Sequence, residues 1–147
     1  MSATFSQWMG DIQQRTESAL DRALPGADIA PTRLHDAMRY AVLGGGKRVR
    51  PVLTLAVGEM LGAPEKTLLP VAASLELIHT FSLVHDDLPG MDDDDTRRGR
   101  PTCHKAFGEG IAILAGDALL TLGFEVAASC GRVEAVDRGA GGLQRGL

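Results

Sequence analysis

Asp86, Asp87, Asp92, Asp93, Asp94 and Asp95 put six carboxylates into ten residues. Two carboxylates about 6 Å apart repel by about 3 kcal/mol at an effective dielectric near 20. Solvated in a loop, such a run survives as a charged surface; pinned to the end of a helix, it calls for a cation. Ligands that are all oxygen, with no cysteine nearby, select a hard ion such as Mg²⁺ or Ca²⁺. A calcium loop of the EF-hand kind needs Gly at its sixth position and Glu at its twelfth. Counted from Asp92 those positions are Arg97 and Cys103, and counted from Asp86 they are Met91 and Arg97. Neither register fits. Mg²⁺ with a phosphate-bearing substrate fits better, because Mg²⁺ takes one or two protein carboxylates and completes its shell with water and phosphate oxygens. On an unbroken helix Asp86 and Asp93 would lie about 10 Å apart along the axis, too far for one ion to bridge. Pro89-Gly90 must therefore bend the backbone, or several ions must share the site.

Two basic clusters flank this run. Lys47, Arg48 and Arg50 follow three glycines, and Arg97, Arg98 and Arg100 follow the aspartates. Arginine meets phosphate oxygens as a bidentate fork, and Gly44 to Gly46 can let backbone N–H groups approach an anion. A nucleotide P-loop is excluded: the G-x-x-x-x-G-K spacing is missing, Arg48 stands where Ser or Thr is required, and a helix precedes the glycines where a strand should. Taken singly, the acidic run reads equally well as a solvated loop, and the basic stretch reads as a Gly-rich turn. His79 lies seven residues before Asp86, on the same face of an ideal helix, with Ser82 between them. His85 points elsewhere and is expected to pack or support. His35 and His104 carry no signal.

The elements that must hold these groups are helical throughout. Apolar residues at 5, 8, 9, 12, 19 and 20 follow a helical spacing that Pro25-Gly26 ends. Pro31 starts a second helix, stopped by the triple glycine, and Pro51 opens a third through Leu61 with Gly62 as its cap. A longer helix from Pro64 or Thr67 to Leu88 carries His79 and Asp86, and residues 92–100 read as a loop. The last clear helix runs over 111–129, with Ile111, Leu114, Ala115, Ala118, Leu119 and Leu122 as its apolar stripe. No segment alternates convincingly as a strand, and there is no internal repeat.

Composition bounds what this scaffold does. The 147 residues fit one domain, 44% hydrophobic and 23% charged, with aromatics at only 4%; the core must rest on Leu, Val, Ile and Ala, which favours helix on helix. A net charge of −4 argues against non-specific binding to nucleic acid or anionic membranes. No stretch reaches the roughly 18 apolar residues of a membrane span, and 1–10 lack the pattern of a secretory signal. Cys103 and Cys130 show neither metal spacing nor a disulfide framework. A cytoplasmic location is expected.

Taken together, residues 44–51 (GGGKRVRP), 76–95 (ELIHTFSLVHDDLPGMDDDD), 96–102 (TRRGRPT) and 108–125 (GEGIAILAGDALLTLGFE) closely resemble the trans-isoprenyl diphosphate synthases, with the nearest likeness to bacterial short-chain farnesyl diphosphate synthases. The likeness covers roughly Phe5 to Ser129. It implies an all-α helical bundle of the isoprenoid synthase type around a central cavity, a homodimer in the complete protein, and condensation of isopentenyl diphosphate with dimethylallyl or geranyl diphosphate. By resemblance, Asp86 and Asp92 hold Mg²⁺ against the allylic diphosphate, Asp87 supports them, and Arg97 grips the same diphosphate. Lys47, Arg50, His79 and Arg98 hold isopentenyl diphosphate, whereas Arg48 is given no direct contact. Phe81, five positions before the first aspartate, implies a limit on product length and a C15 product. About 140° of helix separates it from Asp86, so this role comes from the resemblance alone.

The family carries a second Asp-rich motif that this chain does not contain. Residues 1–129 are thus expected to be the N-terminal part of the bundle. Residues 130–147 depart from the family pattern and are expected to form an aberrant or disordered tail, as in a truncated or frame-shifted product, leaving the fragment inactive or nearly so. Two other readings remain open. One is a non-catalytic subunit of a prenyl synthase. The other is an all-α metal-dependent phosphohydrolase using His79, His85, Asp86 and Asp117, which gives the arginines no role.

Overall fold

The computed structural model of the chain describes residues 4–141. Helices α1 (Phe5–Ala23), α2 (Thr32–Val42), α3 (Val49–Met60) and α4 (Glu65–Asp86) are followed by a two-residue hairpin, β1 (Thr96–Arg97) and β2 (Arg100–Pro101). Helices α5 (Cys103–Phe107) and α6 (Glu109–Gly141) complete the described residues. The start of α1 is fixed by a reciprocal cap: Thr4 Oγ1 accepts from the Gln7 amide and Gln7 Oε1 accepts from the Thr4 amide. Helix α3 ends in a Schellman turn, the Ala63 amide donating to Gly58 O and the Gly62 amide to Glu59 O, with Gly62 at φ +69°.

The main core gathers Leu20, Met38, Val42, Leu77, Val84 and Leu119; each such side chain contributes about 1.5–3 kcal/mol by leaving water. A smaller cluster of Ile12, Leu55 and Leu68, with Trp8 against it, joins α1, α3 and α4. Helices α4 and α6 form the central pair. Their backbones come close because α6 is small along the contact: a Cβ on Gly116 would lie 2.2 Å from His85 Nε2. Both helices are long and apolar enough to cross a membrane by length and composition, although no unbroken apolar run marks them. Packing against each other and the bundle uses part of that apolarity, while Ile113, Leu114 and Phe124 of α6 stay exposed.

Three details differ from the sequence reading. Ala115 and Leu119 of the expected α6 stripe are buried, and Ile111, Ala118 and Leu122 pack half-buried against the core, but Leu114 turns outward, 54% exposed, and Ala112 is buried; the glycine side of α6, with Gly116 and Gly123, meets α4. Thr16 takes a core position on α1, its hydroxyl satisfied by Ile12 O at 2.8 Å. The last helix runs to Gly141 instead of Ser129. No proline follows Pro101, and an internal glycine costs only about 1 kcal/mol, so nothing in the chain stops it earlier. The end of the expected tail, 142–147, lies outside the described residues, as do the side chains beyond Cys130.

Candidate diphosphate-binding site

The C-terminal end of α4 carries Asp86 as its last residue and Asp87 as its cap. A helix C-terminus is the negative end of the macrodipole, so carboxylates there are disfavoured until a cation joins them. The chain then folds back on itself. The Asp92 amide donates to Asp86 O at 2.8 Å, the Asp93 amide to Leu88 O at 3.1 Å and the Asp94 amide to Asp87 O at 3.2 Å. These bonds satisfy carbonyls the ending helix leaves open and bring Asp92 beside Asp86, resolving the separation an unbroken helix would impose. Pro89-Gly90 makes the bend, and Asp93 adopts φ +55° within it.

Thr102 fastens the far end of this loop. Its hydroxyl donates to Asp94 O at 2.9 Å, and its amide donates to Asp95 O at 3.0 Å. Between these anchors stands the hairpin, with Arg97 opposite Arg100 and both turn residues, Arg98 and Gly99, at positive φ, the pattern of a type I′ turn. The sequence RRGR hid this hairpin because its strands are too short to alternate.

The hairpin aims three arginines in different directions. Arg97 makes a two-pronged pair with Asp87, Nε to Oδ2 at 2.9 Å and Nη2 to Oδ1 at 2.7 Å. Asp87 is almost fully buried while a third of the Arg97 side chain stays exposed; the pair holds the Arg97 guanidinium above its ordinary pKa. Arg98 turns to the glycine stretch and donates to Gly45 O, and a Cβ on Gly46 would sit 2.9 Å from its guanidinium carbon. Arg100 lies 4.0 Å over the Tyr40 ring, an attraction of about 0.5–1 kcal/mol at an exposed site. It also packs against Gly44, where a Cβ would come within 2.9 Å of Nη1. The glycines thus give two guanidinium groups room on the loop backbone.

One open cleft is lined by Lys47, Arg50, His79 and Arg98, with Arg48 and Glu76 behind them. All four residues expected to hold one diphosphate therefore meet. Lys47 and Arg50 are exposed, and His79 is half-buried. Burial, and then the nearby positive charge of Arg50, push the His79 imidazole below its usual pKa. Desolvation and Arg48 likewise hold Arg98 below its ordinary value. Four cation-forming groups sharing a cleft is a costly arrangement that an anion would relieve. Arg98 also borders a second recess with Asp87 and Arg97, so the two recesses adjoin.

The comparisons with known proteins agree with this geometry. Residues 31–140 match the family model described as polyprenyl synthetase. The chain belongs to the polyprenyl synthetase family. It is 56% identical over 128 residues to the heterodimeric geranylgeranyl pyrophosphate synthase large subunit 1 of Arabidopsis thaliana, covering 87% of this chain and 34% of that protein. It is 52% identical to the farnesyl diphosphate synthase of Haemophilus influenzae, covering 83% and 41%. Among solved structures, the FPP/GFPP synthase of Zymomonas mobilis superposes with a TM-score of 0.79 at 44% identity, covering 82% of this chain and 44% of that one. The geranyltranstransferase of Thermotoga maritima superposes at 0.71 and 45% identity, covering 85% and 45%. The chain spans between a third and a half of the length of these relatives, and its all-α fold is theirs.

Within this polyprenyl synthetase chain some residues take places the sequence did not foretell. Arg48 is wholly buried and tied to three helices. Asp87 pairs with Arg97, so the motif's second aspartate faces the hairpin. His85, as expected, packs: Nε2 lies 3.0 Å from Ile113 O, and its ring meets Phe81 edge-on at 5.1 Å. Phe81 itself is half-buried against the main core. His85 stands 3.8 Å from Asp117, but among the described residues no three His, Cys, Asp or Glu side chains gather as a metal cage. Membership of the polyprenyl synthetase family removes the phosphohydrolase reading.

Proposed function

We propose that this chain supplies the diphosphate-binding half of a short-chain trans-prenyltransferase. It would join isopentenyl diphosphate to dimethylallyl or geranyl diphosphate, with farnesyl diphosphate as product. The observation that carries this reading is the Arg97–Arg98 hairpin, which joins an aspartate turn at the end of α4 to a cleft lined by Lys47, Arg50, His79 and Arg98.

Asp86 and Asp92 would hold Mg²⁺. The donor chemistry fits: two carboxylates on residues joined by the Asp92 amide–Asp86 carbonyl bond suit a hard ion that fills its remaining places with diphosphate and water oxygens. When bound, the ion neutralises charge on the departing diphosphate as the allylic C–O bond breaks. Arg97, kept in place by Asp87, offers donors to the same developing charge. Lys47, Arg50, His79 and Arg98 hold the second diphosphate so that the homoallylic double bond meets the allylic cation. A proton then leaves the new C–C unit, with the released diphosphate as acceptor. Apolar walls such as Phe81 exclude water that would quench the cation, and a homodimer would complete the cavity.

The test grafts this chain onto the remainder of the Haemophilus influenzae farnesyl diphosphate synthase and supplies radiolabelled isopentenyl diphosphate, geranyl diphosphate and Mg²⁺. Labelled farnesyl diphosphate is expected, and Asp92→Asn should slow its formation by at least about 100-fold, in line with loss of charge stabilisation. Absence of condensation with diphosphate binding intact would instead favour a non-catalytic subunit. Phe81→Ala in the same graft should shift the product beyond C15; unchanged farnesyl product overturns the C15 assignment.

A further inference from the structure

Arg48 sits between the cationic cleft and the interior, and its surroundings differ from those of every other basic residue of the loop. Its side chain is fully buried, whereas Lys47 and Arg50 on either side are exposed. Three donors reach three helices: Nε to Glu17 Oε1 of α1 at 2.5 Å, Nη1 to Glu76 Oε1 of α4 at 2.8 Å, and Nη2 to Val42 O at the end of α2 at 2.7 Å. Glu76 is itself buried, with 3% of its side chain exposed. The Arg48 backbone has φ +51° and forms the cap of α3 with no side-chain capping bond. A non-glycine residue held there needs its surroundings to compensate.

This arrangement decides where the cleft's cations stand. The left-handed turn at Arg48 separates Lys47 from Arg50, and the fork pulls the turn inward while both neighbours stay at the cleft. Gln13 of α1 secures the other side by donating to Lys47 O at 3.1 Å. Glu76 lies one helical turn before His79, so the same fork fixes α4 relative to the loop. We infer that Arg48 is a positioning residue for the second diphosphate, its fork on Glu17, Glu76 and Val42 O setting Lys47 and Arg50 opposite His79. A lysine, a single rotatable charge, cannot reproduce the three-way fork.

The inference rests on the reading of this cleft as a diphosphate site, and the experiment separates the two. Inorganic pyrophosphate is titrated calorimetrically into the full chain, with EDTA to silence the aspartate side and again with Mg²⁺. Arg50→Ala tests the cleft itself: at least a tenfold loss of affinity in EDTA is expected, and unchanged affinity overturns the cleft reading. Given that loss, the double variant Arg48→Met with Glu76→Gln, which leaves no buried carboxylate without its partner, tests the positioning role. It should keep its helical circular dichroism and a cooperative melt, lose at least tenfold in EDTA, and change less than threefold in the Mg²⁺-dependent event. A folded double variant that binds in EDTA like the parent overturns the inference, as does equal weakening of both events. If the double variant does not fold, Glu17→Gln at the fork's more exposed end replaces it. A several-fold loss confined to the EDTA condition supports the role, and unchanged affinity contradicts it.

Discussion

Asp87→Asn tests how the hairpin is held to α4. The substitution keeps shape and one acceptor but removes the charge that Arg97 grips at 2.7 and 2.9 Å. At that separation and an effective dielectric near 20, the Coulomb attraction is about 6 kcal/mol. Most of it is offset by desolvation, which costs several kcal/mol per fully buried ion. Asp87 bears that cost nearly in full, with 4% of its side chain exposed; Arg97, with 34%, bears less and is partly screened. The surplus expected for the pair is about 2 kcal/mol. For a chain of this length that corresponds to a fall in Tm of roughly 6–8 °C. Thermal melts of the parent, Asp87→Asn, Arg97→Met and the double variant form a cycle whose coupling should be about 2 kcal/mol. Asp92→Asn, at an exposed carboxylate outside the pair, should move Tm by less than about 2 °C. A coupling below about 0.5 kcal/mol would refute the claim that this pair holds the hairpin.

Other outcomes follow from packing and charge. Leu119→Ala should cost about 2–5 kcal/mol in denaturant unfolding, because Leu119 is fully buried, whereas Leu114→Ala at a 54% exposed site should cost under about 0.5 kcal/mol; equal costs would mean the α6 seam is misplaced. His79 has a folded pKa below its unfolded one, so it favours unfolding once protonated. Stability from this group is therefore complete above about pH 6.5 and declines as pH falls through that value. His79→Gln should flatten that decline, and NMR titration should place the His79 imidazole below 6.5. Burial pushes the Cys103 thiol up to about 11, so a thiol reagent at pH 8 should leave Cys103 unmodified in the native chain; rapid native labelling of Cys103 would contradict its burial.

Much of the fold was legible because proline and glycine punctuate it. Pro31, Pro51, Gly62 and Pro89-Gly90 fall at helix boundaries in the structure, where the chemistry of a missing amide or a positive φ demands them. The hairpin and α5 were not legible: two-residue strands and a five-residue helix carry too few positions for any periodicity. Of the expected α6 stripe only Leu114 turns outward, because counting apolar side chains ignores how closely glycines let a neighbour approach. At the site, charge type and spacing marked the two basic clusters, and the family resemblance singled out Lys47, Arg50, His79 and Arg98, which line one cleft. Arg48 and Glu76 could not be told from surface charges, since burial and a three-helix fork are properties of the packed bundle. Asp87 was one of six similar aspartates until the fold turned it toward Arg97.

The central claim is that Asp86 and Asp92 bind a diphosphate through Mg²⁺. Isothermal calorimetry of this chain with pyrophosphate, with and without Mg²⁺, tests it directly. The account predicts an additional binding event when Mg²⁺ is present, abolished by Asp86→Asn or Asp92→Asn. The lack of any additional event with Mg²⁺, or an additional event that survives both substitutions, would contradict it.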